Sequence, residues 1–254
     1  PVTIGGSLGR DTATATGAFF VLENILAKFE INPQDTTVAV QGFGNAGAEI
    51  AELLWKAGYK VVAVSDSQGG IYAKQGLDIP SIRSFKESNK GIKAIYCEGS
   101  VCNIVQHEIL TNQEILALDV DVLIPAALEN QITEANVDSI KAKFIFEVAN
   151  GPIDSAADLI LETKGIQIIP DILVNAGGVT VSYFEWVQNR SGLYWSLEEV
   201  NQRLKHKMVE ETEAIWKIAQ DLSVCMRTAA YVYGLNRLGE AMNAKGTRDY
   251  YING

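Results

Sequence analysis

The 254-residue sequence predicts an α/β fold: a doubly wound, mostly parallel sheet covered on both faces by helices, with additional helices at its C-terminal end. Three observations carry that expectation. The β-branched run Thr36-Thr37-Val38-Ala39-Val40-Gln41 leads straight into Gly42-Phe43-Gly44-Asn45-Ala46-Gly47, and the helix-like stretch Ala48 to Leu54 follows at once. A second strand, Lys60 to Asp66, ends in a carboxylate about twenty residues beyond the glycines. Beyond it, short apolar runs alternate with helical stretches, the pattern of parallel strands joined by crossover helices.

The strand, glycine loop and helix together suit a dinucleotide. In G-x-G-x-x-G the first glycine allows the tight turn and the second lets backbone approach a phosphate with no Cβ in the way. The third lets the helix pack close to the strand, whose following helix N-terminus offers free N–H groups to the anion. Gly42, Gly44 and Gly47, with Phe43, Asn45 and Ala46 between them, are therefore candidate cofactor-binding residues. A plain βα turn is the alternative that the distal acid argues against. Asp66 is placed to accept both ribose hydroxyls of an adenosine and to repel a 2′-phosphate. With Gly47 as third glycine, this favours NAD over NADP without settling the choice, because Ser65, Ser67 and Lys74 can serve a phosphate. The alternative is Asp66 as the cap of its own turn, since Ser65-Asp66-Ser67-Gln68-Gly69-Gly70 is rich in turn formers, and both readings can hold together.

The remaining elements follow in order. Gly69 to Ala73 reads as a turn into an edge excursion and Ile79 to Lys90 as a helix. Asp119 to Ala127, Ala142 to Pro152 and Gly165 to Asp171 read as short buried strands, with helices at Glu134 to Ile140 and Ser155 to Lys164 between them. Leu197 to Leu222 spaces Val200, Leu204, Met208, Ile215 and Ile218 as one face of a long amphipathic helix. Val224 to Met242 reads as another, and Asn189 to Ser196 as the loop before the pair. Ligands in such sheets lie beyond the carboxyl ends of the strands. Pro125-Ala126-Ala127, Ala149-Asn150-Gly151-Pro152 and the run from Pro170 to Gly178 end strands in small or polar residues, which leaves room for a ring and a ribose. Ala126, Ala127, Asn150 and Asn175 are candidates on that ground.

Composition excludes several classes. A formal net charge of −10 argues against a nucleic-acid partner, which calls for a basic face. No apolar run approaches the roughly 18 residues of a membrane span. The opening Pro1-Val2-Thr3 shows no secretory signal, and its lack of Met suggests a fragment or a processed product. Cys97, Cys102 and Cys225 with His107 and His206 form no zinc spacing, and reduced thiols suit a cytoplasmic protein. No G-x-S-x-G elbow supports a serine hydrolase.

Several blocks carry a family resemblance: Gly5-Gly6-Ser7-Leu8-Gly9-Arg10 with Ala13-Thr14, Val40 to Asn45, Ser65-Asp66-Ser67 with Gly69 to Tyr72, and Pro125-Ala126-Ala127. Ala149-Asn150-Gly151-Pro152 and Pro170 through Trp186 complete the set, and Asn175 to Trp186 is the most specific. Over nearly all of its length the chain resembles the cofactor-binding part of hexameric glutamate dehydrogenases in the Glu/Leu/Phe/Val dehydrogenase superfamily. One departure is Ala15-Thr16-Gly17, where many relatives carry Gly-Arg-Gly. The resemblance implies an NAD(P)-binding Rossmann fold over residues 1–222 and a C-terminal helical segment, 223–254, that returns toward a catalytic domain outside this sequence. It implies reversible oxidative deamination of L-glutamate to 2-oxoglutarate and ammonium, in a homo-hexamer. Leucine or phenylalanine dehydrogenase, or a non-catalytic dinucleotide-binding module, are the alternatives.

By the same resemblance Thr14 meets the nicotinamide amide with Arg10 beside it, Asn45 meets the pyrophosphate, Asn175 lies near nicotinamide and substrate, and Ser182 binds the distal carboxylate of glutamate. Thr14 as a mere helix-initiating hydroxyl and Ser182 as a serine bonded to its own helix are the plainer alternatives. The family's chemistry also needs a lysine of lowered pKa in a glycine-rich loop and a proton-shuttling aspartate. No Gly-Gly-x-Lys run occurs here; Lys90, Lys164 and Lys245 each precede a single glycine and read as helix-end cations. The resemblance implies that the catalytic lysine and aspartate belong to an N-terminal domain, before the Gly5-Gly6-Ser7 segment.

Overall fold

The computed structural model describes residues 2–89 and 108–246. Its centre is a seven-stranded sheet in the order β4-β3-β2-β1-β5-β6-β7, with β1 Thr37–Gln41, β2 Lys60–Asp66, β3 Gly69–Tyr72, β4 Glu108–Leu110, β5 Val122–Pro125, β6 Phe144–Phe146 and β7 Gln167–Ile169. From β2 through β1 to β7 every neighbouring pair is parallel, while β3 runs antiparallel to both β2 and β4. The central strands are buried on both faces, and their side chains divide between two layers by the period of two. Val38, Val40, Val122, Ile124, Phe144 and Phe146 join one apolar cluster, and Ala39, Leu123 and Ile145 the other. The fold is thus the doubly wound α/β sheet that the alternation predicts.

Helices cover the sheet: α1 Ala13–Lys28, α2 Asn45–Lys56, α3 Ile79–Asn89, α4 Asn112–Leu116, α5 Ser155–Thr163, α6 Asp171–Val174, α7 Gly177–Ser191, α8 Leu197–Leu222 and α9 Met226–Ala244. The period decides what each buries. In α2 the buried residues are Gly47, Ile50, Ala51 and Leu54, one stripe at helical spacing. The expected face of α8 is buried at Val200, Leu204, Met208 and Ile215, with Ile218 partly so. Ser196 and Glu199 close a capping box at its start, and Ser223 in the left-handed region ends it.

Three expectations need correction. Glu134 to Ile140 is not a helix of moderate length but a single 3-10 turn, Val137–Ser139. Asn136 accepts the Thr133 N–H through its side chain, and Ser139 donates to the Asn136 carbonyl, so side chains compete for the backbone groups a helix would use. The excursion after Gly69 is a hairpin strand, β3, and β4 extends the edge beyond it. The loop before α8 is shorter than Asn189 to Ser196, because α7 runs to Ser191 and stops at Gly192. Lys164 and Lys245 do close helices, at the C-caps of α5 and α9. Lys90, Cys97, Cys102 and His107 lie outside the described residues. Among those described, no helix is long and apolar enough to cross a membrane.

Candidate functional site

The glycine loop sits where β1 turns into α2, at the middle of the sheet, with β2 on one side of β1 and β5 on the other. Its three glycines do three different jobs. Gly42 has φ +96°, and a Cβ there would stand 2.6 Å from the Ala127 backbone nitrogen, so this turn accepts no larger residue. A Cβ on Gly47 would stand 1.8 Å from the Gly42 carbonyl oxygen, which makes it the close contact between helix and strand. A Cβ on Gly44 would meet nothing within 4 Å. The space above Gly44 is open although the protein itself does not need it. Gly44 also caps α2 with no side-chain acceptor, leaving the first-turn N–H groups of Asn45, Ala46 and Gly47 to face that space.

The other expected residues line up along the same edge. Ser65, at the end of β2, accepts the Gly42 N–H at 3.0 Å, so the tip carrying Asp66 and Ser67 lies beside the loop. Asp66 Oδ1 accepts the Gln68 N–H at 2.9 Å, and its backbone carbonyl accepts from the Asn112 amide at 2.8 Å. The carboxylate thus caps its own turn. On the other side the Ala126 N–H donates to Gln41 at 2.7 Å, and the Val148 and Ala149 N–H groups donate to Pro125 at 3.1 and 3.0 Å. That brings Asn150 alongside Ala126 and Ala127. Asn175 donates to the Asn150 side chain at 2.7 Å and to the Val148 carbonyl at 3.3 Å, so the two amides form one unit.

Past Asn175 the edge reaches α1. A Cβ on Gly177 would stand 2.2 Å from the Ala13 carbonyl, and one on Gly178 would stand 2.6 Å from Thr14 Oγ1 and 4.0 Å from Arg10 Nη1. Thr14 and Arg10 therefore flank the start of α7. Ser182 donates to the Gly178 carbonyl at 3.0 Å, the plainer of its two expected roles in this structure. The glycine loop, the Asp66 tip, the two alanines, the two asparagines and the Arg10–Thr14 corner form one continuous ledge.

Several contributors were not singled out in the sequence. Lys86, on α3, donates to the Phe43 carbonyl and lies 5.5 Å from the Phe43 ring centre, which puts a cation at the glycine loop. Nothing short of the fold joins residues 43 positions apart. Three side chains of α7, spaced along one face, hold the segment ahead of Arg10. Glu185 accepts the Ser7 N–H at 2.9 Å, the buried Gln188 donates to Ser7 Oγ at 2.9 Å, and Asn189 donates to the Gly5 carbonyl at 2.8 Å. Glu147, at the end of β6, is wholly buried, and burial pushes its carboxyl above the usual range against the pull of Arg227. A cleft of about 300 Å³ lies at the β7 side between α5 and the α8–α9 junction, away from the ledge, and is lined by Asp158, Glu162, Met226 and Arg227 among others.

Comparison with known proteins shows the family and the fold. The family model for Glutamate/Leucine/Phenylalanine/Valine dehydrogenase matches residues 5–246. The chain is 64% identical over 251 residues to an NADP-specific glutamate dehydrogenase of Synechocystis, covering 99% of this chain and 59% of that protein. It is 44% identical over 246 residues to a catabolic NAD-specific glutamate dehydrogenase of Bacillus subtilis, covering 97% of this chain and 56% of that one. Among solved structures, the hetero-hexameric glutamate dehydrogenase of Thermus thermophilus superposes with a TM-score of 0.86 at 32% identity, over 96% of this chain and 56% of that chain. The chain thus spans well under two thirds of the length of these relatives. With the ledge, the sheet and the sequence all in agreement, the chain belongs to the Glutamate/Leucine/Phenylalanine/Valine dehydrogenase family.

Proposed function

We propose that these residues form the cofactor-binding part of a glutamate dehydrogenase, whose whole protein converts L-glutamate to 2-oxoglutarate and ammonium reversibly. The observation that carries this is the open cradle at Gly44: a non-strained position where an added Cβ would meet nothing within 4 Å, at a helix N-terminus without a side-chain cap, between two glycines that cannot be larger. That is space reserved for a pyrophosphate. When bound, the nicotinamide supplies the two-electron acceptor for the amino acid. Around it Asn45 and the α2 N–H groups hold the diphosphate, Lys86 adds a positive charge, and Ala126 and Ala127 leave room for the ribose. Asn150, Asn175 and Thr14 bind the carboxamide end of the cofactor with Arg10 beside Thr14, and Ser182 faces the substrate.

The dinucleotide is proposed to be NADP rather than the NAD that Asp66 alone favours. The Asp66 carboxylate is engaged with the Gln68 N–H, Lys86 stands at the loop, and the Synechocystis relative is named NADP-specific. The proton-transfer lysine and aspartate are proposed to come from a catalytic domain outside these 254 residues, and the assembly to be a cytoplasmic hexamer. Tyr231, Leu235 and Leu238 on α9 are exposed, apolar surface such a partner domain would cover. The test is calorimetric titration with NADP and NAD, together with a glutamate-dependent reduced-nicotinamide absorbance assay. These residues alone should bind dinucleotide without turning glutamate over, and the protein that carries them with a glycine-rich lysine loop should do both. Absence of dinucleotide binding, or turnover by these residues alone, overturns the proposal.

A further inference from the structure

Behind the ledge, one side chain gathers carboxylates from three elements. Arg227, in the first turn of α9, donates through Nε and Nη2 to both oxygens of Asp158 on α5 at 2.9 and 3.0 Å. Its Nη2 also donates to Glu147 Oε1 at 2.9 Å, and its Nη1 lies 3.6 Å from Asp171 Oδ1 at the start of α6. Burial alone would lower the guanidinium pKa, but Asp158 and Glu147 more than offset it and hold the charge in place. Glu147 has no exposure to solvent, so removing Arg227 leaves the Glu147 carboxyl buried without its cation, whereas Arg227 also keeps Asp158.

The connections continue into the site. The second oxygen of Glu147 accepts the Asp171 N–H at 2.8 Å, and Asp171 Oδ2 accepts the Gly151 N–H at 2.8 Å. Gly151 follows Asn150, and Asp171 opens the short helix that ends at Asn175. The two segments that present the paired asparagines are therefore both tied to Arg227, one through Glu147 and one through Asp171. A merely structural anchor for α9 would need only the bidentate contact with Asp158.

We propose that Arg227 is a positioning residue for the nicotinamide end of the site, setting the Asn150–Asn175 pair through Glu147 and Asp171. It touches neither cofactor nor substrate. The inference rests on the dinucleotide reading above, and the test separates the two. Binding of NADPH is compared with that of 2′-phospho-ADP-ribose, and NADH with ADP-ribose, each pair differing only in the nicotinamide base. In wild-type protein the dinucleotide should bind more tightly than its truncated counterpart.

Arg227→Met should shrink that preference by about tenfold, the scale of one well-placed hydrogen bond, while affinity for the truncated probes holds. Asp171→Ala strands no buried charge, keeps the fold if Arg227→Met does not, and should give the same loss. Arg227→Lys should restore part of it. Asp158→Asn loosens α9 without touching the path to Gly151, and should leave the preference unchanged. The proposal is overturned if Asp171→Ala keeps the wild-type preference, if Asp158→Asn lowers it as far as Arg227→Met, or if wild-type protein binds both members of a pair equally. Wild-type protein that binds none of the four probes overturns the dinucleotide reading itself, and this inference with it.

Discussion

Gly44 separates the fold from the site, because it is the one loop glycine that the protein does not itself require. Its φ of −83° and ψ of −160° are open to any L-residue, and a Cβ there would have no heavy-atom neighbour within 4 Å. Gly44→Val gives up the modest N-cap preference of glycine, up to about 1 kcal/mol. It regains about 0.4–1 kcal/mol by restricting the unfolded chain. Stability should therefore stay within about 1 kcal/mol of wild type. Binding should not. The isopropyl group fills the cradle and holds phosphate oxygens away from the α2 N–H groups, each worth about 1.5–3 kcal/mol to a charged acceptor. Losing two costs about 3–6 kcal/mol, roughly a hundredfold to ten-thousandfold in dissociation constant. Gly47→Ala is the contrasting variant, since its Cβ would stand 1.8 Å from the Gly42 carbonyl oxygen. Overpacking of that kind costs about 1–3 kcal/mol or more, so that variant should melt earlier whatever it binds. Calorimetric titration and thermal denaturation of both variants read the two effects. A Gly44→Val dissociation constant within about threefold of wild type, a difference of under 1 kcal/mol, would refute the reasoning.

Two further outcomes are expected. Asp66→Asn keeps an acceptor for the Gln68 N–H and removes only the charge, so the turn should survive and the NADP-to-NAD affinity ratio should rise by about fivefold, of the order of a nearby charge pair in water; an unchanged ratio shows that the carboxylate has no part in cofactor choice. Asp121, ahead of β5, accepts the Thr37 N–H at 2.9 Å, the Thr37 hydroxyl at 2.7 Å and the Lys143 ammonium at 2.7 Å. Burial would raise its carboxyl, but Lys143 and Thr37 outweigh burial and hold it below the usual range. Its folded pKa is depressed, so the stability it confers is present above its unfolded value of about 3.9 and is lost as pH falls through the folded value. Asp121→Asn should cost about 1–3 kcal/mol near neutral pH and flatten that acid limb in denaturant titrations below about pH 4. An acid limb as steep in the variant as in wild type rules out this role.

What could be read from sequence is what local chemistry dictates. The glycine loop was legible because strand, turn, close approach and helix start are all settled within a dozen residues, and α8 because its apolar face repeats over 26. Glu134 to Ile140 was misread because helical spacing is blind to Asn136 and Ser139 turning their side chains onto their own backbone. α7 opens on Gly177-Gly178, poor helix formers by propensity. They are chosen because Ala13 and Thr14 of α1 leave no room for a Cβ, a reason that exists only once the two helices cross. The same holds for the site. Gly42 and Asn175 stand out as candidates by residue type and spacing, while Asp66, singled out the same way for a ribose, caps its own turn through Gln68. Lys86 reaches Phe43, Gln188 reaches Ser7 and Arg227 reaches Glu147 across 43, 181 and 80 positions, so no window on the sequence contains both partners. Residues that would touch the ligand are marked by the chemistry the ligand demands, while the residues that hold them carry ordinary charges and amides. Their roles follow from the packing of α3, α7 and α9 against the strand ends, and the variants that test them must be chosen from the structure.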